Sequence, residues 1–468
     1  MRTQSRGRAV ALALAVVAVV AASAPRASAQ TADEYYQELR VEDRIYVFST
    51  ENRYTSFQQS KDMGVSVTRL GYGPAGETVV FEDAKAIEAF NRRHGMTEAP
   101  PEEIKTPEIK LPFGITYRNP GLRLSFPKAE INLTSRLQVR YTHETFDDIR
   151  NPPDPPLTSL EDKGSFRIRR MRVKLDGWIY SKDLTYELQW DLADTSGNEL
   201  LDANLDYDFT GGKKLFRLKA GQFKAPFNYQ QLTSSGNFQL IDRSILDGFF
   251  VPGRQIGVQL WGQVGPEAVA DFVDWRVGIF NGNGRTTTAN DNDEFEYVAR
   301  VMVSPWGSVG FSDSNLEAYD FRLSFAGEYN NNDTIVQPAT GARTGADVET
   351  FGASVVLKAF KSLFLYGQYH EGESESPSGV ETDREGWLIQ GGWLFTPRWE
   401  IAGRWAQIDP NTDTDGNDQT EWRAGVSWYV NKHYWKLQAD YGETKNEAAA
   451  ATTHRRLKEV RIQAQLVF

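Results

Sequence analysis

The chain has 468 residues, a formal net charge of −11 and no cysteine. The charge argues against nucleic acid as a partner, and the missing thiols exclude disulfides, cysteine metal sites, thiol catalysis and a lipidated N-terminal cysteine. Mean hydropathy is low, at −0.51, yet 12 Trp, 19 Tyr, 26 Phe and 39 Gly are present.

At the start, Arg2, Arg6 and Arg8 precede an apolar run over 9–22 and the small-residue site Ala27-Ser28-Ala29. This order reads as a secretory signal peptide over 1–29. The run is shorter than the roughly 20 residues that a helical span needs, and no later run approaches that length. Residues 30–95 read as a small periplasmic α/β segment. Strands are expected near 44–50 and 77–81, with a helix over 83–94 that carries Ala84, Ile87, Ala89 and Phe90 on one side and is capped by Asp83. The alternative is a poorly ordered extension, because so small a unit has little core. Pro100, Pro101, Pro107 and Pro112 mark a semi-rigid linker over 96–112. A hairpin-like piece follows over 115–126, turning at Asn119-Pro120-Gly121.

From about residue 132 to the end the pattern is strand after strand. Strands are predicted near 132–146, 165–181, 184–194, 200–209, 215–227, 254–263, 273–281 and 296–304. More are predicted near 321–329, 349–359, 363–370, 385–395, 399–408, 419–431, 434–441 and 454–468. That makes about sixteen, an even number, as single-chain bacterial barrels have. The connections alternate short (Ser181-Lys182-Asp183, Thr396-Pro397-Arg398) and long (147–164, 282–295, 330–348), the arrangement of periplasmic turns and external loops. The connection over 305–320 is long for the periplasmic side. The last strand alternates, with Val460, Ile462, Ala464, Leu466 and the terminal Phe468 apolar. A terminal aromatic on such a strand is the pattern of outer-membrane barrels. The fold class is therefore an all-β transmembrane antiparallel barrel over 113–468.

Alternation also assigns faces. Leu137, Val139 and Tyr141 face lipid while Arg136, Gln138 and Arg140 face a lumen; Tyr186, Leu188 and Trp190 oppose Glu187, Gln189 and Asp191 in the same way. By parity the lumen wall holds Arg136, Arg140, Arg170, Arg172, Lys174, Arg217, Lys219, Arg276, Arg300, Arg322, Arg404, Arg423 and Arg461. Inward acids such as Glu187, Asp191, Asp202, Asp206 and Glu328 are fewer, which gives a cationic bias that the net charge conceals. The densest run is Arg167-Ile168-Arg169-Arg170-Met171-Arg172-Val173-Lys174, whose hydrophobic parity inverts midway. A β-bulge at Arg169–Arg170 reconciles the two halves and aims adjacent guanidiniums inward. Rings of Arg and Lys in a pore attract anions, and the guanidinium fork matches phosphate oxygens. A solvated basic wall facing Glu and Asp, with no ligand preference, is the bland reading of the same residues. Acids in the long loops (Asp147, Asp148, Asp154, Glu161 and Asp162 in the first) are solvated or hold divalent cations beside lipopolysaccharide.

Arg169-Arg170-Met171-Arg172-Val173 leads into Leu175-Asp176-Gly177, then Leu201-Asp202-Ala203, Gly221-Gln222-Phe223-Lys224, Pro226-Phe227, Thr233-Ser234-Ser235 and a run from Val251 to Val258. In order and spacing this series resembles the phosphate-selective porin O and P family, most strongly over 165–263. The resemblance implies a sixteen-stranded homotrimeric channel in the bacterial outer membrane, with a loop near 228–253 folded inward to narrow the pore. It also implies that Arg169 and Arg170 stand near that constriction. Lys224 departs from the pattern, standing where the resemblance implies an acidic residue. The candidate pore-lining and anion-binding set is Arg136, Arg140, Arg167, Arg169, Arg170, Arg172, Lys174, Lys219, Lys224, Arg243 and Arg254. Expected partners are outer-membrane lipid, lipopolysaccharide and small anions such as phosphate. A general non-selective porin and a structural or adhesive barrel are the competing readings. An enzyme is not expected, since the five histidines lie in separate segments without a nucleophile constellation. Neither a cofactor nor a metal site is expected; Asp413-Thr414-Asp415-Gly416-Asn417 lacks the downstream spacing of a calcium loop.

Overall fold

In lipid, every backbone amide must be satisfied within the protein, and strands achieve this by closing on themselves. The computed structural model describes residues 35–468 except 42–43, 62, 65, 70, 97–109, 112–113, 118–119, 148–161, 198, 267–268, 270, 286–288, 337–343 and 448–455. The predicted signal peptide, most of the linker and the loop acids Asp148, Asp154 and Glu161 lie outside the described residues. Two compact units emerge, one within Val17–Glu108 and one within Ile109–Phe468.

The first unit is a four-stranded sheet between two helices. Strands β1 (Gln37–Val41), β2 (Arg44–Phe48), β3 (Val67–Arg69) and β4 (Thr78–Phe81) run in the order β1-β2-β4-β3. One face, with Ile45, Val47, Val79 and Phe81, packs on Ala86 and Phe90 of the helix Ala84–His94. The other, with Phe48 and Val80, packs on Phe57 of the helix Glu51–Ser60. Asp83 caps the later helix as expected, its carboxylate accepting the Ala86 N–H at 2.9 Å. The earlier helix and β1 and β3 were not expected. Glu51–Ser60 buries Phe57 alone, so its sequence has almost no apolar stripe to read.

The second unit begins with β5 (Lys110–Leu111), β6 (Ile115–Tyr117) and β7 (Leu122–Phe126), the last two forming the expected hairpin. Sixteen strands follow. They are β8 (Ala129–Asp147), β9 (Lys163–Ile179), β10 (Ser181–Asp191), β11 (Leu200–Asp208), β12 (Arg217–Lys224), β13 (Arg254–Val264), β14 (Val273–Phe280) and β15 (Glu296–Val303). Then come β16 (Phe321–Asp333), β17 (Asp347–Ala359), β18 (Leu363–Glu375), β19 (Glu381–Thr396), β20 (Trp399–Asp409), β21 (Gln419–Asn431), β22 (Trp435–Asn446) and β23 (Arg456–Val467). Each pairs antiparallel with the next, and β23 pairs with β8 to close the barrel. At this seam Ser135 and Phe468 exchange backbone hydrogen bonds of 2.6 and 2.9 Å.

The barrel is inside-out relative to a water-soluble core. Phe166, Ile168, Ile389, Trp393 and Ile401 are exposed outward, while Gln138, Arg140, Arg300, Gln390 and Arg404 are buried inside. Ring pairs line the rim of the short turns, such as Phe209–Phe216, Trp306–Phe321 and Trp399–Trp428. Others, such as Tyr141–Phe166 and Tyr329–Phe351, lie toward the long loops. Such girdles belong at the two membrane interfaces. The strand ladder carries the predicted bulge. Gln138 pairs with Arg170 and the adjacent Val139 with Ile168, leaving Arg169 as the extra residue.

Two connections enter the lumen. The first, between β12 and β13, holds the short helices Tyr229–Leu232 and Ile245–Phe250. The second is the long periplasmic connection between β15 and β16. They meet where Asp313 N–H donates to Asn237 O (3.0 Å) and Tyr229 Oη donates to Ser312 O (2.8 Å). Around this junction Tyr229, Leu246, Phe250 and Val309 pack on Val356, Phe364, Tyr366, Leu388, Ala406 and Ile408. An apolar core thus fills the lumen beside β17–β20.

Candidate functional site

The polar sector left open is walled by β8–β14, and the bulged strand β9 runs through its centre. Arg170, Arg172 and Lys174 oppose Gln138, Arg136 and Thr134 across the β8 ladder and so share their inward face. Arg167 opposes Arg140 on that face and is exposed. Because Arg169 is the bulge residue, its guanidinium also reaches inward, 3.9 Å from Asp242 on the inward loop.

Two cavities lie along this wall. The first, of about 530 Å³, is lined by Arg136, Arg172, Lys174, Lys219, Lys224, Arg254 and Arg276 against Glu187 and Asp202. Its rim includes His433, Tyr434 and Val467 at the short-turn end. The second, of about 480 Å³, is lined by Arg169, Arg170, Arg172, Arg243 and Arg285 against Asp191 and Asp194. Residues 193–196 and 285 place it at the long-loop end. Arg172 lines both, so the basic wall is continuous between the two ends.

Each cation has a holding partner. Arg172 pairs with Asp191 (2.9 Å), Arg254 with Asp202 (2.8 Å), and Lys174 with Asp176 (2.9 Å). Arg276 pairs with Asp274 (2.7 Å), and Lys219 lies 4.7 Å over the Phe223 ring. Others fasten the inward loop. Arg136 donates to Ser234 and Ser235 Oγ (both 3.0 Å), and Lys224 to Leu232 O (3.3 Å) and Thr233 O (3.1 Å). Arg243 donates to Gln230 O (3.0 Å) and pairs with Asp247 (3.5 Å). On the same strand as Lys224, Gly221 has a φ of 125°, which favours glycine, and a Cβ there would overlap the Ala203 carbonyl oxygen on the neighbouring strand.

At the loop tip, Asp242 is met by Arg140 (2.5 Å), Arg170 (3.2 Å) and Arg461 (3.5 Å). Burial alone would raise its carboxyl, but these arginines hold it well below the usual carboxylate range. On the external loop, hydrogen bonds from Ser196 and the nearby Arg285 hold the Asp194 carboxyl down.

Ten of the eleven candidate residues line the two cavities or hold the loop between them; Arg167 stands apart on the exposed outer end of β9. The wall carries more carboxylates than parity suggested. Asp176, Asp274, Glu421, Asp440 and Glu459 each pair with an inward Lys or Arg. Asp242 and Arg285 were not among the candidates. The available signal for Asp242 was its place beside Arg243 in a loop already expected inside.

Among solved structures, an anion-selective porin from Comamonas acidovorans is 13% identical, covers 73% of this chain and 100% of its own, and has a TM-score of 0.50. OmpF of Salmonella typhi, solved with daunomycin, is 11% identical, with 74% and 100% covered and a TM-score of 0.50. At such identities the likeness speaks for the fold. No curated protein matches the sequence significantly. Residues 147–468, more than half of the chain, match the family described as phosphate-selective porin O and P. The chain belongs to the phosphate-selective porin O and P family and is a porin of the bacterial outer membrane.

Proposed function

We propose that this porin passes small anions, phosphate among them, in preference to cations, by passive diffusion and without a catalytic step. One observation supports the preference above the rest: seven cationic side chains against two carboxylates line the larger cavity. A low-dielectric wall focuses such a field into the aqueous path. Arg169, Arg170 and Arg172 extend the same sign toward the outer mouth. The chain works as a homotrimer with its N-terminal α/β unit in the periplasm, its outer wall against lipid and lipopolysaccharide.

A non-selective porin is the second reading. The paired carboxylates along the wall favour it, because a neutralised arginine attracts little. Reversal potentials of single channels in asymmetric potassium chloride separate the two. An anion-selective potential is expected, and a cation-selective one overturns the proposal. Millimolar phosphate should then reduce the chloride current. A barrel that inserts but carries no current would instead be structural or adhesive. Native mass in detergent tests the trimer.

A further inference from the structure

The inward loop brings a carboxylate into a nest of arginines that belong to the barrel wall. Asp242 Oδ2 lies 2.5 Å from Arg140 and 3.5 Å from Arg461; Oδ1 lies 3.2 Å from Arg170 and 3.9 Å from Arg169. The four guanidiniums come from β8, β9 and β23, which are hydrogen-bonded neighbours. Each oxygen is thus held between two cations, as a free oxyanion would be. Three of the four arginines have a second partner besides Asp242. Arg140 also donates to Gln463 Oε1 (3.0 and 2.9 Å), Arg170 to Gln138 Oε1 (2.9 Å), and Arg461 to both Asp440 oxygens (2.7 Å each).

The carboxylate differs in kind from the wall acids. Asp191 and Asp202 sit on strands and cannot leave their partners. Asp242 sits on a loop, is 22% exposed at its side chain, and contacts Arg169 and Arg170, which line the outer cavity together with its chain neighbour Arg243. Its main-chain oxygen is tied to Arg404 at 2.9 Å, so the side chain can turn away while the loop stays docked.

We propose that Asp242 is a tethered counter-ion that fills the four-arginine site between passages and is displaced by an incoming oxyanion. The inference rests on the anion-channel reading above. A self-ligand that holds a site nine-tenths of the time weakens apparent affinity for a competitor about tenfold. Asp242 therefore sets how strongly the pore holds an anion. It keeps the site from trapping one.

The test compares wild type with D242N, which removes charge at constant size. The half-blocking concentration of phosphate on chloride current should fall about tenfold in D242N, and the reversal potential should shift further toward anions. The chain has no cysteine, so D242C offers a single thiol for modification after folding. A sulfonate-bearing methanethiosulfonate should return D242C to wild-type block, and a trimethylammonium one should not. If D242N and trimethylammonium-modified D242C match wild type in both readouts while wild type is anion-selective, Asp242 only fastens the loop and this inference fails alone. A cation-selective wild type would remove the anion reading and this inference with it.

Discussion

Replacing Tyr229 tests whether the two inward segments hold each other in place. Its side chain is fully buried, with the hydroxyl on Ser312 O at 2.8 Å and the ring 5.1 Å from Tyr366 and 5.8 Å from Phe311. Tyr229→Phe removes one neutral hydrogen bond and leaves a carbonyl unpaired, a cost of about 1 kcal/mol. Tyr229→Ala empties an aromatic site inside a packed core, a cost of about 3–5 kcal/mol. At about 1.4 kcal/mol per factor of ten, the undocked population rises roughly fivefold in the first variant and at least a hundredfold in the second. Neither change touches the strand ladders, so the barrel should persist. Single-channel recording reads the difference directly. Y229A should show frequent excursions to a larger conductance, while Y229F should show few. If Y229A matches wild type in level and in noise, the loop is held by its charged contacts, and the apolar junction has no part in gating.

Three further outcomes follow from the same geometry. Anion preference should weaken as potassium chloride rises from 0.1 to 1 M, because the screening length shrinks from about 10 to about 3 Å; an unchanged permeability ratio would mean contact binding, not field, sets selectivity. Arg300 and Glu328 form a pair 3.3 Å apart, with side chains 1% and 0% exposed. Arg300→Met should lower the temperature at which the barrel unfolds in detergent by stranding that carboxylate, a loss of about 3–5 kcal/mol, and Arg300→Met with Glu328→Leu should recover most of it; equal losses in both would refute the pairing. Gly177→Ala should also destabilise, since a Cβ there would overlap the Glu130 carbonyl oxygen, whereas Gly248→Ala meets nothing within 4 Å; the same unfolding measurement distinguishes them.

Much of the barrel was legible because one physical demand, lipid outside and water inside, writes a two-residue rhythm into every strand. Arg136, Gln138 and Arg140 alternate with Leu137 and Val139, and they lie on the faces that rhythm assigns. Even the bulge at Arg169 was visible, as a slip of parity between Ile168 and Met171. The rhythm weakens where the lumen is not water. Val356, Phe364, Tyr366, Leu388 and Ala406 face inward yet are apolar, because they meet the two inward segments. Alternation cannot announce a plug that comes from distant loops; its traces were the long connection over 305–320 and the inward loop near 228–253 that the family resemblance implied. In the first unit the same limit hid Glu51–Ser60, whose burial rests on Phe57.

The charged residues show the limit of a count most clearly. Arg136, Lys224 and Arg243 are basic and inward, as parity or resemblance proposed, but each directs hydrogen bonds to the loop at residues 230–235. Their charge still enters the cavity field, while their donors are already engaged by carbonyls and hydroxyls. A wall arginine acts on an ion through both properties. Coulomb attraction reaches across a cavity, whereas a bidentate grip needs free, aligned donors. Selection by sign can therefore survive when selection among anions has been surrendered to the loop. The rigid wall fixes where positive charge stands, and the loop that crosses it decides how much of that charge a passing ion can touch.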